Sequence, residues 1–523
     1  ERMAAAIYRQ AEAQRSAGRP LEAAEAFQRV GQLVPKASIR EAAEFDAAAA
    51  FLSAERWPDA IEVLERFRRD FPKSARQPEV TRRLAVAYLS SQQPQVAARE
   101  FERIADQPAA DPATQREALA QAAELYEKAG DRAHATVVLE GYLRRYPEPL
   151  SVAIEFRQKL ADFALATRDQ SRRASFLKEV IKADAAAGSA RTDRSRYLAA
   201  RAVLELAASD RDAFAAIRLT LPLKRSLDAK RAALKKALQG YEGADQYAVA
   251  EVSTSATFEM AELYRQLATD LMKSERPKSL SGDALEQYGL LLEEQAFPFE
   301  EKAIGLHESN AARVVDGLYD ASVRRSFDAL ATLKPARYSK LETPEEFSID
   351  LLAPAGTGSL NYNVRFQEAV AVAATEPVRA EQEFRRLVDE LPKSIGPLMN
   401  LGILAARQGR FDEADALLKQ AATLGPKEAA IHAQRGIVLR QLGRFADAEE
   451  AYRAALALEP DSVKAHRNLG ILLDLYRGRA ADAVSEWRRA VELEGGDKQL
   501  EGWIAEVSHR TPAAGSPDAG GLK

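Results

Sequence analysis

The chain has 523 residues, 46% of them hydrophobic and 29% charged, with a formal net charge of −4 and no cysteine. That length holds several ordinary domains or one extended repeat array. The charge balance gives nucleic-acid binding no electrostatic support, and the lack of thiols excludes disulfides and thiol catalysis. No apolar run approaches the length of a membrane-spanning helix. The first residues are Glu1-Arg2-Met3, which leaves an upstream signal or anchor segment open. Cysteine absence fits a reducing and an oxidising compartment equally.

From the N-terminus, helical stretches alternate with turn signals. "AGRPLEAAEAFQRVGQLVP" carries Gly18, Ala23, Phe27 and Pro35, and "WPDAIEVLERFRRDFP" carries Ala60, Leu64 and Pro72. "LAVAYLSSQQPQVAAREFERIADQP" carries Leu84, Ala85, Tyr88, Ala97 and Phe101. "AAELYEKAGDRAHATVVLEGYLRRYP" adds Tyr126, Gly130, Ala135 and Pro147. Four helix–turn–helix repeats are expected between residues 4 and 147, with loose spacing slightly longer than 34. Arginine pairs such as Arg68–Arg69, Arg144–Arg145 and Arg172–Arg173 read as charges near helix ends, facing solvent and the helix dipole.

From 150 to 345 the pattern fades while helical periodicity persists. Two further helix pairs are read at "FRQKLADFALATRDQSRRASFLKEVIKAD" and "RYLAARAVLELAASDRDAFAAIRL". Two long amphipathic helices are expected near 222–240 and 247–273. A strongly helical stretch follows, with Pro298 as a break. Residues 341–360, "LETPEEFSIDLLAPAGTGSL", have low helical signal and read as a linker or an extended strap between two helical bodies.

The C-terminal part is the most regular. Pro392, Pro426 and Pro460 lie 34 residues apart, and "LGILAARQGRFDEADALLKQAATLGP" is followed by "RGIVLRQLGRFADAEEAYRAALALEP". Repeats are expected at 361–394, 395–428 and 429–462. A further repeat starts at Val463, gains one residue around Tyr476–Arg479, and has Gly495 in place of its closing proline. Small residues at repeat positions 8 and 20 let paired helices approach, a bulky residue at position 24 fills the gap between repeats, and Gly409 and Gly443 serve the turns. The tail after about 509, "HRTPAAGSPDAGGLK", has the composition of a disordered segment.

These motifs resemble the tetratricopeptide repeat (TPR), with high specificity over 361–497 and moderate specificity over 4–147. The resemblance implies an all-α TPR superhelix, an α-solenoid, with an irregular long-helix middle region. The expected organisation is an N-terminal array at 1–149, the irregular region at 150–345, a linker at 346–360, the C-terminal array at 361–497, and a final helix and flexible tail at 498–523. The wording of 273–340, from "KSERPKSLSGDALEQYGLLLEEQAFPFEE" onward, is similar to large envelope TPR proteins of proteobacteria. Those are associated with TonB/ExbB/ExbD-type energy transduction or gliding motility. This implies a periplasmic, non-enzymatic scaffold for envelope-complex proteins.

No credible catalytic constellation is legible. H-E-x-x-H, G-x-S-x-G and P-loop patterns are absent, and "GTGS" at 356–359 reads as a turn. His432 and His466 share position 4 of successive repeats, where a packing role outweighs metal ligation. No cofactor, no metal and no nucleic-acid partner are expected. The expected partners are proteins or peptides in the concave groove. In a TPR superhelix the first helix of each repeat lines that face. Here position 9 is Ile403, Ile437 and Ile471, while position 5 is Met399, Ala433 and Arg467, so the asparagine–lysine clamp for a peptide carboxylate is absent. Met399, the three isoleucines, Arg407, Arg440, Lys464 and Arg467 form the candidate groove, suited to an apolar or amphipathic segment with some negative charge. The same isoleucines could instead pack internally or lie under the chain's own linker or tail. Two further readings stay open: a cytosolic peptide-binding adaptor or co-chaperone, and an enzyme subunit with a TPR arm.

Overall fold

The computed structural model describes residues 1–349, 351 and 360–510. Among them the regular structure is helical, with no β-strand. The chain is an all-α solenoid that divides into two compact units, residues 1–206 and 207–523. The tail expected after about 509 starts with two residues that still belong to the last helix, and its remainder from 511, like the glycine-rich turn at 356–359, lies outside the described residues.

The first unit pairs antiparallel helices in order. They are α1 (Arg2–Ser16), α2 (Pro20–Leu33), α3 (Arg40–Ser53), α4 (Trp57–Asp70), α5 (Gln77–Ser90) and α6 (Pro94–Ala105). Next come α7 (Pro112–Lys128), α8 (Arg132–Arg145), α9 (Leu150–Ala166), α10 (Gln170–Ala185) and α11 (Asp193–Ala216), whose residues from 207 count with the second unit. Prolines at the first turn start α2, α4, α5, α6 and α7, where no backbone N–H is needed. Each pair turns through one residue with positive φ: Gly18, Glu55, Gln92, Gly130 and Arg168. Those positions lie 37 or 38 residues apart, which sets the longer repeat of this unit. Arg168 marks a fifth pair, α9–α10. Phe27, Leu64, Phe67 and Leu84 fill the seam with no exposed surface.

Two expectations in this stretch are corrected. Residues 196–219 do not form a helix pair, because α11 is one continuous helix with no glycine or proline between 193 and 216 to stop it. Arg172 and Arg173 lie in the first turn of α10, where the helix dipole disfavours them. Their partners are instead carboxylates, Glu140 for Arg172 and Glu205 for Arg173.

The second unit begins with long helices, α12 (Leu223–Asp245), α13 (Ala250–Met272) and α14 (Asp283–Ala312). Pro298 does not break α14, which runs through it for 30 residues. The carbonyl of Glu294 loses its helical donor there, and both residues are exposed, so that carbonyl is open to solvent. Next come α15 (Ala321–Leu333) and the short α16 (Pro335–Tyr338).

The regular array follows: α17 (Leu360–Val372), α18 (Pro377–Glu390), α19 (Ile395–Arg407), α20 (Phe411–Leu424), α21 (Ala429–Gln441), α22 (Phe445–Leu458), α23 (Val463–Leu475), α24 (Ala480–Glu494) and α25 (Lys498–Arg510). Position 8 of the last three repeats, Gly402, Gly436 and Gly470, is glycine because a larger side chain would meet the paired helix, whereas the first has the exposed Glu368 there. A Cβ on Gly436 would lie 2.5 Å from the Tyr452 ring, and one on Gly402 would lie 2.6 Å from Leu418.

Candidate peptide-docking groove

Residues 339–349 form no helix, and 340–349 lie extended across α23, α21 and α19 in that order. The strap therefore runs from the last regular repeat back toward the first. Three side chains hold its backbone. Asn468 accepts from the Thr343 N–H at 2.8 Å and donates to the Thr343 carbonyl at 2.9 Å. Gln434 Oε1 accepts from the Glu345 N–H at 3.0 Å. Asn400 accepts from the Ser348 N–H at 2.9 Å and donates to the Ser348 carbonyl at 2.9 Å. Asn400, Gln434 and Asn468 occupy position 6 of successive repeats, 34 residues apart, and are at most 2% exposed.

The register follows from two spacings. Packed helices lie about 8–10 Å apart. An extended chain advances about 3.3 Å per residue. Two or three strap residues therefore bridge one repeat to the next, as 343, 345 and 348 do. Pro344, with no N–H to offer, falls between two residues whose N–H groups are bound. At the far end Gly396 lies against the Leu351 carbonyl, where any Cβ would collide with the strap's backbone.

Side chains add a second layer of contacts. Glu342 takes Arg440 Nε at 2.9 Å and the Tyr452 hydroxyl at 2.6 Å. Burial opposes the Arg440 charge, but Glu342 outweighs it and holds the guanidinium above its ordinary pKa. Lys464 Nζ reaches Glu345 at 3.3 Å. Burial nonetheless pushes the Glu345 carboxyl up, against the pull of Lys464. Arg407 lies over the Phe347 ring at 4.3 Å. Lys340, buried at the strap's root, bonds Asp474 at 2.5 Å and Glu506 at 3.1 Å and lies 4.9 Å from the Trp487 ring.

The candidate groove residues thus separate into two sets. Met399, Ile403 and Ile471 are at most 2% exposed and belong to the apolar core, with Ile437 half-buried beside them. Strap residues Phe347 and Leu351 pack on the cluster that contains Met399 and Ile403. Arg407, Arg440 and Lys464 meet the strap directly, whereas Arg467 pairs with Asp497 and reaches Gln499 in α25. The backbone-reading amides at position 6 were missed by sequence reasoning. Their signal was present, as an Asn–Gln–Asn series at the period of the repeat.

The histidines at position 4 serve the stack. His432 and His466 place Nε2 at 3.1 and 2.9 Å from the carbonyls of Pro426 and Pro460, each closing the preceding repeat. His466 Nδ1 also lies 2.6 Å from Glu486, which raises its pKa above the ordinary 6.5. A raised folded-state value means the bond contributes fully below about pH 6.5 and fades as pH climbs through the folded value. Thermal scans from pH 6 to 9 should show the second unit losing stability with rising pH, and His466→Gln should flatten that slope. An unchanged slope in the variant would remove His466 as its source.

One Ser–His–acid line exists elsewhere in the second unit. His307 Nδ1 is 3.3 Å from Ser326 Oγ, and its Nε2 is 3.3 Å from Glu262. Ser326 and His307 have no exposed surface, and Asn310 donates to both Ser326 Oγ and the Thr254 carbonyl. Nucleophilic chemistry needs a substrate at the hydroxyl, and this one lies inside the helix packing. Among the described residues no group of His, Asp or Glu is arranged to hold a metal ion, and no helix is long and apolar enough to cross a membrane.

Stacked antiparallel pairs with a 34-residue period and an inward face that grips an extended segment define a tetratricopeptide-repeat solenoid. Residues 399–463 and 433–498 match the family model described as Tetratricopeptide repeat. Residues 1–128 match the YfiO model, described as Outer membrane lipoprotein. No curated protein matches the chain. Among solved structures, the MamA RS-1 ArsTM double mutant is 17% identical over 29% of this chain and 85% of its own, at a TM-score of 0.27. MamA AMB-1 is 20% identical over 36% of this chain and 98% of its own, at 0.24. MamA MSR-1 is 20% identical over 36% and 94%, also at 0.24.

Proposed function

We propose that this protein is a non-enzymatic scaffold that joins proteins of a bacterial envelope complex, acting in the periplasm beside a TonB/ExbB/ExbD-like energy transducer. The observation that carries the scaffold role is the amide series Asn400, Gln434 and Asn468, which binds an extended backbone across α19, α21 and α23. The outer-membrane lipoprotein match over 1–128 supports the envelope. The likeness of 273–340 to envelope TPR proteins supports the energy-transducing partner. Of the candidate groove residues, Arg407, Arg440, Lys464 and half-buried Ile437 are the surface on which partner segments dock, while Met399, Ile403 and Ile471 lie in the apolar core. A cytosolic peptide-binding adaptor shares this groove and differs in compartment.

Affinity capture from envelope extracts of the native host, with crosslinking and mass spectrometry, tests the reading. Envelope proteins are the expected catch, and recovery of cytosolic proteins alone would overturn the compartment. Ile437→Asp places a charge at a half-buried groove position. It should reduce capture while circular dichroism shows helix content unchanged. Undiminished capture would leave the isoleucines a purely structural role.

A further inference from the structure

We infer that the strap is a built-in stand-in for the partner, and that the partner segment is an acidic, extended peptide with two carboxylates three residues apart and an aromatic ring two residues beyond. This rests on the scaffold reading above and specifies what its groove binds.

The groove recognises its occupant in two separable ways. Asn400, Gln434 and Asn468 engage only N–H and carbonyl groups, which every non-proline residue supplies. Any extended chain in this register satisfies them. Selection comes from three cations that meet the strap, Arg440 on Glu342, Lys464 on Glu345 and Arg407 on Phe347. With the strap lifted, these three cations and three amides line one face with no carboxylate from the strap to neutralise them. An acidic segment is the ligand that restores the balance, and an aromatic ring completes it under Arg407.

The strap is also built to leave. Its hold is strong at Lys340 and Glu342, where the ion pairs are buried. From Glu345 onward three amide bonds, at Glu345 and Ser348, a ring contact and apolar packing of Phe347 hold it, with a single, longer ion pair at 3.3 Å. The end without a buried ion pair is the one at which a partner that supplies the same backbone bonds can start, advancing toward Thr343. Being tethered, the strap competes at an effective concentration of order millimolar. Partners must overcome that, so the intact groove admits only segments that match well or are held near by a second contact.

The test uses the full chain and a fluorescent peptide of residues 340–351, "KLETPEEFSIDL". Glu345→Ala with Phe347→Ala loosens the strap and spares its buried root. This variant should bind the peptide at least tenfold more tightly than the wild type. Adding Asn400→Ala and Asn468→Ala should abolish the gain. A peptide carrying Glu342→Gln and Glu345→Gln should bind at least tenfold more weakly. Hydrogen exchange on the wild type under excess peptide gives a readout free of folding artefacts. The Thr343, Glu345 and Ser348 amides should exchange faster as the strap is expelled. Equal affinity of wild type and loosened chain, equal affinity of the two peptides, or unaltered exchange would each overturn the inference. Envelope capture that persists alongside such a failure would leave the scaffold reading standing. Peptide binding without envelope capture would do the reverse.

Discussion

Glu342→Ala should destabilise the second unit by about 3–5 kcal/mol, the cost typical of removing one partner from a buried ion pair. Glu342 and Arg440 side chains are 3% and 15% exposed, so the guanidinium left behind cannot rehydrate without moving. The Tyr452 hydroxyl, itself inside the core, loses its acceptor in the same step. Denaturant unfolding followed by circular dichroism measures the loss. Pairing the change with Arg440→Met should recover much of it, because the stranded charge is then gone. A loss below about 1 kcal/mol in the single variant would show that Arg440 reaches solvent and that the strap is not anchored there.

Trp487→Ala should cost about 3–5 kcal/mol as well, through an unfilled cavity. The indole is fully buried and packs against Trp503 with ring centroids 5.5 Å apart. Its N–H donates to the Arg467 carbonyl at 3.1 Å, and its edge fills the space left by Gly470. Repeats stabilise chiefly their neighbours, so the damage should be local. Hydrogen exchange should quicken across α23, α24 and α25, while the first unit keeps its protection. Uniform loss across the chain would contradict a stack of neighbour contacts.

The repeats were readable because their restraints are local. Pro392, Pro426 and Pro460 mark helix ends, and Gly436 fits only because Tyr452 crowds it from the paired helix a short distance along the chain. The first unit was harder. Glu55, Gln92 and Arg168 take the left-handed turn that Gly18 and Gly130 take, and without glycine the period is hidden. The unbroken α14 shows a further limit, since whether a lone proline such as Pro298 ends a helix depends on what surrounds it. The groove was half legible. Arg407, Arg440 and Lys464 meet the strap while Arg467 turns to Asp497, Ile403 and Ile471 lie in the core, and the amides that hold the strap lie three positions earlier. No motif announces an amide whose partner is backbone. The strap was visible as a non-helical stretch, yet nothing near it in the chain indicates that Thr343 meets Asn468, 125 residues away.

The strap also bears on the order in which the second unit can form. A plain helical stack gains its contacts between near neighbours and matures quickly. Here Lys340 must meet Asp474 and Glu506, 134 and 166 positions downstream. On the ribosome the extended segment emerges before any of the surfaces that will hold it. Its Ser348 end finds its partners once α19 has been made, but Thr343 waits for α23 and Lys340 for α25, leaving unbound backbone open to other chains until then. Complete docking of residues 340–349 is therefore a late event in maturation, set by synthesis of the far end of the array.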